Sequence, residues 1–159
     1  MEGKEENGFR VRMFIAAIIF AVICISAPCY AQPAKEAPSA AAKGQVTTIK
    51  KLNPKDAYEL IQKNKGNPNF VIIDIRTPEE FESGHIEDAA NMNYHSDTFV
   101  DDLNKLDKDK TYLVYCRTGR RSSDAVSIMA RQGFKDIYRI DGDIVKWKAE
   151  GLPVIKGIK

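Results

Sequence analysis

The chain has 159 residues, 43% of them hydrophobic and 29% charged. That is the composition of one globular domain with a short appendage, and it excludes collagen-like and wholly disordered chains. A formal net charge of +2 gives no overall bias toward nucleic acid or an acidic membrane surface, so any electrostatic role must be local.

The appendage comes first. Lys4, Arg10 and Arg12 precede an apolar stretch over residues 13–26, and the small or helix-breaking residues Ala27, Pro28, Cys29, Tyr30 and Ala31 follow it. This order is a secretory signal pattern, so residues 1–31 read as a signal peptide cleaved after Ala31. The stretch is shorter than the ~20 residues that cross a bilayer's hydrocarbon core, and a retained N-terminal anchor is the second reading. Pro28 makes Cys29 a poor lipid-attachment site. Export to the bacterial periplasm is expected, with membrane attachment only if the segment is kept. Residues 32–45 are rich in Ala, Pro, Lys, Glu and Ser and read as a flexible spacer, which leaves 46–156 as the folded domain.

Within that domain short β-type runs alternate with helical segments. Strands are expected over 46–49, 70–74, 111–116 and 136–140, with a short piece near 89–92. Phe70-Val71-Ile72-Ile73 and Tyr112-Leu113-Val114-Tyr115 are apolar on both faces, as central parallel strands are. Asn53-Pro54 and Thr77-Pro78 each place a capping residue before a proline and start helices. A third helix is expected over 121–132, ended by Gly133, and a last one over 142–150 carrying Val145 and Trp147. The alternation predicts an α/β domain with a mainly parallel sheet of about five strands flanked by helices.

Cys24 and Cys29 lie in the export segment, so Cys116 is the only thiol of the expected mature domain. A lone cysteine in a compartment that favours disulfides is either inert and buried or present for its reactivity. Its neighbours favour the second reading. Cys116 sits at the carboxyl end of a central strand, the edge where open α/β sheets bind ligands. Arg117, Thr118, Gly119, Arg120, Arg121 and Ser122 follow it and run into the start of a helix. Helix-terminal N–H groups, a glycine that lets the backbone curl and three guanidinium groups together form an anion site, a setting that favours the reactive thiolate.

These residues resemble the rhodanese-like domains. The loop from Cys116 to Ser122 is similar to the active-site loop of that family. Asp74-Ile75-Arg76, Glu79-Glu80-Phe81, Gly84-His85-Ile86 with Ala89, Ala90 and Asn91, then Asp141-Gly142 ahead of Trp147, and Gly151-Leu152-Pro153-Val154 follow in the family's order. The resemblance implies a three-layer fold and a sulfurtransferase of the thiosulfate type. Cys116 would be the nucleophile that holds a persulfide, and residues 117–122 would bind the donor. It also implies a small anionic sulfur donor, a thiol acceptor or a sulfur-accepting protein as partners, and no metal, organic cofactor or nucleic acid. Asp74 and Arg76 read as an ion pair that caps backbone and ties the pocket edge, more than as catalytic groups. His85 reads as a structural histidine, and His85, His95 and Cys116 lack the spacing of a zinc site.

One position departs from the pattern. Many members of the family carry two adjacent glycines before the last helix, and this chain has Gly142 then Asp143. Asp143 is expected to serve as a helix N-cap and to alter the pocket rim, adding negative charge near the mouth. A cysteine phosphatase or arsenate reductase is a rival of similar fold. Arg121 lies one position too early for its loop, Ser122 stands where its arginine would be, and Tyr115 where it usually has histidine. A non-catalytic docking or carrier module is the rival from another class, and such modules often lack the cysteine.

Overall fold

The computed structural model describes residues 46–157, so the expected signal peptide and spacer lie outside the described residues. In chain order the elements are β1 (Thr48–Leu52), α1 (Pro54–Lys63), β2 (Phe70–Asp74), α2 (Pro78–Glu82), β3 (Ala89–Asn91), α3 (Phe99–Asn104), β4 (Thr111–Tyr115), α4 (Arg120–Arg131), β5 (Asp136–Ile140) and α5 (Asp143–Ala149). The sheet runs β1-β5-β4-β2-β3 and every pairing is parallel.

β4 lies at the centre, and its two apolar faces serve two separate layers. Tyr112, Val114 and Cys116 face a core with Phe99 and Leu103 of α3 and Ala125, Val126 and Met129 of α4. Leu113 and Tyr115 face the other core, with Ala57 and Ile61 of α1 and Ile144 and Trp147 of α5. The period-two alternation of the strand thus places the cysteine on the α4 side. Helices cover both faces of the sheet, giving the three-layer α/β architecture.

β1 starts and ends later than the expected 46–49. Val46 is 83% exposed, and Thr48 pairs with Asp136 in register. This is an edge strand with Lys50 and Lys51 in its middle, and charges of that kind guard an edge while blurring its hydrophobic pattern. α3 has no counterpart among the expected elements. It is a six-residue helix without a side-chain cap, and Phe99 and Leu103 are its buried residues. Among the described residues no helix is long and apolar enough to cross a membrane.

Candidate active site

The expected site residues converge at the carboxyl ends of β2 and β4. Cys116 follows the last residue of β4, where Tyr115 is in register with Asp74 of β2. It is a free cysteine only 1% exposed. Cys116 nevertheless lines a cavity of about 380 Å³ with Arg117, Thr118, Arg120, Arg121 and the carboxylate Asp124 and, from the stretch after β3, Tyr94 and His95. A larger depression of about 430 Å³ lies at the amino end of β2 and holds no cysteine.

The loop curls back over the sulfur. Gly119 adopts φ 109°, a left-handed conformation that favours glycine, and its N–H donates to Cys116 Sγ at 3.2 Å. The first helical hydrogen bond of α4 runs from Ser123 N–H to Gly119 O at 3.0 Å. The N–H groups of Arg120, Arg121 and Ser122 precede it and lie at the positive end of the helix dipole. Arg117, Thr118 and Arg120 are exposed at the mouth, whereas Ser122 is buried. The Ser122 hydroxyl donates to Gly119 O at 3.2 Å, beneath the loop and away from the cavity.

Arg121 is not free. Its guanidinium donates to both oxygens of Glu80, at 2.8 and 3.1 Å. Glu80 is itself placed by a capping box at the start of α2, in which Thr77 Oγ1 accepts from Glu80 N–H and Glu80 accepts from Thr77 N–H, both at 3.3 Å. The hydrogen bond from Arg121 holds Glu80 below the usual carboxylate range, and Glu80 in turn raises Arg121.

Asp74 and Arg76 form a buried ion pair at the neighbouring strand end. Arg76 Nη2 meets Asp74 Oδ2 at 2.5 Å, and Arg76 Nε donates to Asp74 Oδ1 at 2.9 Å. Arg76 Nη2 also donates to Gly84 O at 2.9 Å, so it ties β2 to the turn after α2. Burial by itself would lower the Arg76 pKa, but the hydrogen bond and charge of Asp74 raise it above the ordinary value. Neither residue lines the cavity around the sulfur, although Arg76 borders an adjacent one with Arg117 and Lys148. His85 is buried, stacked on Phe81 with ring centroids 3.6 Å apart, and its Nδ1 bonds Phe81 O at 2.9 Å.

Asp143 overturns an expectation. The N-cap of α5 is Gly142, and Asp143, the first helical residue, makes no capping bond to its own helix. It is fully buried beneath the loop and not at the rim. Its Oδ1 accepts the N–H of Cys116 at 2.5 Å. The charge expected at the mouth is therefore under the cysteine. Arg139 of β5 is a residue that sequence reasoning missed, with Nη2 donating to Gly119 O at 2.8 Å and Ser122 Oγ at 3.2 Å. An arginine between the apolar Tyr138 and Ile140 of a parallel strand was the available signal.

A thiol at the end of a central parallel strand, under a glycine N–H and a helix start and ringed by arginines, defines an α/β domain built around a cysteine anion loop. The comparisons specify which one: the chain belongs to the rhodanese-like domain family, whose model matches residues 53–150. It is 33% identical over 103 residues to the thiosulfate sulfurtransferase GlpE of Pseudomonas syringae pv. syringae, an alignment covering 65% of this chain and 91% of that one. Among solved structures it resembles a rhodanese-related protein from Thermoplasma volcanium, at 30% identity and a TM-score of 0.53, covering 67% of this chain and 97% of the other. It also resembles the polysulfide-sulfur transferase homodimer of Wolinella succinogenes, at 34% identity and a TM-score of 0.55, covering 68% and 79%. Sulfur transfer is thus supported at the level of the family.

Proposed function

We propose that this protein transfers a sulfane sulfur from thiosulfate or a related anionic donor to a thiol acceptor through a persulfide on Cys116. The Cys116 thiolate attacks the outer sulfur of the donor, a new S–S bond forms, and the donor's own S–S bond breaks with its electron pair leaving on sulfite. An acceptor thiolate, or cyanide in an assay, then attacks the outer sulfur of the persulfide and releases Cys116 as thiolate. No metal or organic cofactor takes part.

The observation that carries this reading is the Gly119 N–H on Cys116 Sγ at 3.2 Å, in a loop whose next N–H groups open α4. Such donors stabilise the anionic sulfur and the charge that develops in both steps. The exposed Arg117, Thr118 and Arg120 attract the sulfonate end of the donor, and Arg121, held by Glu80, orients it. The test is turnover with thiosulfate and either cyanide or a small thiol. Wild type is expected to release sulfite and form thiocyanate or the acceptor persulfide, and Cys116→Ala to do neither. Retained activity in the variant overturns the assignment. Persulfide formation without turnover on small acceptors would favour a carrier that hands sulfur to one partner protein.

Export belongs to the same proposal and rests on residues 1–31. Fractionation of cells producing the full chain is expected to place it in the periplasm, membrane-bound if the segment is retained. Recovery in the cytoplasm contradicts this.

A further inference from the structure

Asp143 combines two features that each disfavour it. It is a carboxylate with no exposed surface, and its backbone is left-handed at φ 53°, a region L side chains rarely adopt. Moreover, its Oδ2 is buried and finds no hydrogen-bond partner among the described residues. That oxygen lies 3.2 Å from where a Cβ on Gly119 would sit, so it occupies the underside of the loop. A glycine would suit this backbone better. The side chain's Oδ1 accepts the Cys116 N–H at 2.5 Å. We propose that Asp143 is a positioning residue for sulfur transfer: its carboxylate holds the Cys116 peptide from beneath so that the Gly119 N–H meets the sulfur.

The Cys116 peptide is gripped at both ends from α5. Asp143 Oδ1 takes its N–H, and the Ile144 N–H donates to its carbonyl at 3.2 Å. The Val145 N–H does the same for Arg117 O, also at 3.2 Å. With its own N–H committed to Asp143, Cys116 receives its donor from across the loop, at Gly119. Gly119 is steadied in turn by Arg139 on its carbonyl.

Two titratable groups face the carboxylate. Among the described residues they are Arg139 from β5, whose Nη2 lies 3.4 Å from the same point beneath Gly119, and the Cys116 thiol at the end of β4, whose interaction lowers the carboxyl. α4 presents the uncharged Ser122, and its Arg121 is turned to Glu80. Burial raises the Asp143 carboxyl above its ordinary range, while the Cys116 N–H, Ser122 and Arg139 act in the opposite direction. The carboxylate form is thus the one that the clamp stabilises and burial opposes.

The inference rests on the sulfur-transfer reading, and its test separates the two. Full-length wild type, Asp143→Gly and Asp143→Asn are compared by the rate of persulfide formation from thiosulfate and by amide exchange and chemical shifts at Cys116 and Gly119. Glycine fits the left-handed backbone and keeps the fold, but leaves the Cys116 N–H without its acceptor. Asp143→Gly is expected to slow persulfide formation at least about tenfold with KM within about twofold, and to speed exchange of the Cys116 amide by a similar factor. Asp143→Asn retains an acceptor oxygen and is expected to recover most of the rate. In wild type the Cys116 amide shift follows the Asp143 titration with a midpoint above that of an exposed aspartate, and in Asp143→Asn this titration is lost. If Asp143→Gly matches wild type in rate and in exchange at both amides, the proposal is overturned. If wild type itself forms no persulfide, the sulfur-transfer reading fails, whatever the amides show.

Discussion

Replacing Gly119 with alanine tests the loop geometry where it is tightest. At φ 109° an L side chain is strained, and the added Cβ would lie 3.2 Å from Asp143 Oδ2 and 3.4 Å from Arg139 Nη2. Left-handed backbone costs roughly 1–2 kcal/mol, and the two close contacts raise the total to about 2–3 kcal/mol. For a domain of this size that corresponds to a Tm lower by roughly 8–15 °C. The chemical effect is expected to be larger than the thermal one, because relieving the strain moves the N–H that donates to Cys116 Sγ. Removing one such donor from an anion cradle slows reactions roughly a hundredfold. Gly133→Ala is the control: its φ is 87°, but nothing lies within 4 Å of the new Cβ. It is expected to cost only about 1 kcal/mol and to leave transfer unchanged. Thermal denaturation and sulfite release, measured below the Tm of the weaker variant, check both. If Gly119→Ala lost no more stability than Gly133→Ala and released sulfite at the wild-type rate, the described loop geometry would be wrong.

Three further outcomes are expected. Because burial raises the Asp143 carboxyl above its unfolded value of 3.8, the folded state holds that proton more tightly, and stability is lost as pH rises through the folded value. Asp143→Asn should therefore be more stable than wild type at neutral pH, with the gap closing as pH falls toward 4. A gap that widens on acidification would reverse the assigned sign. Arg121→Ala is expected to raise the KM for thiosulfate more than it lowers kcat. It should also remove the part of the stability that the Glu80 pair contributes above the ordinary carboxylate range and loses as pH falls, and an unchanged KM would assign Arg121 a purely structural task. Asp74→Asn leaves the buried Arg76 without its counter-charge, at a cost of about 3 kcal/mol in urea unfolding, while the folded fraction should still transfer sulfur within about twofold. A loss under about 1 kcal/mol would mean that the pair is not as buried as described.

Those parts of the fold that announce themselves locally were legible from residues alone. β2 and β5 have the expected bounds and β4 differs by one residue; β2 and β4 carry the continuous apolar runs of strands buried on both faces. The edge strand β1 was misplaced since Lys50 and Lys51 interrupt its pattern, and α3 was missed since six residues with no capping side chain carry no helical signal. The site divides in the same way. Cys116 to Ser122 are contiguous, so their chemistry could be read directly. Glu80, Arg139 and Asp143 reach the loop across separations of 41, 20 and 27 residues, contacts that only the packing of α2, β5 and α5 against the end of β4 creates. Asp143 shows the difference most clearly: its place before the last helix suggested a cap, whereas the left-handed turn at Gly142 rotates its carboxylate inward onto Cys116.

The account stands on the sulfur of Cys116, and the mass of the protein tests it most directly. Purified protein incubated with thiosulfate should gain one sulfur atom, located on the peptide containing Cys116 and removed by a reducing thiol. Cys116→Ala should gain none. A wild-type protein that releases no sulfite and gains no mass, or an alanine variant that gains as much as wild type, would contradict the assignment of Cys116 as the carrier.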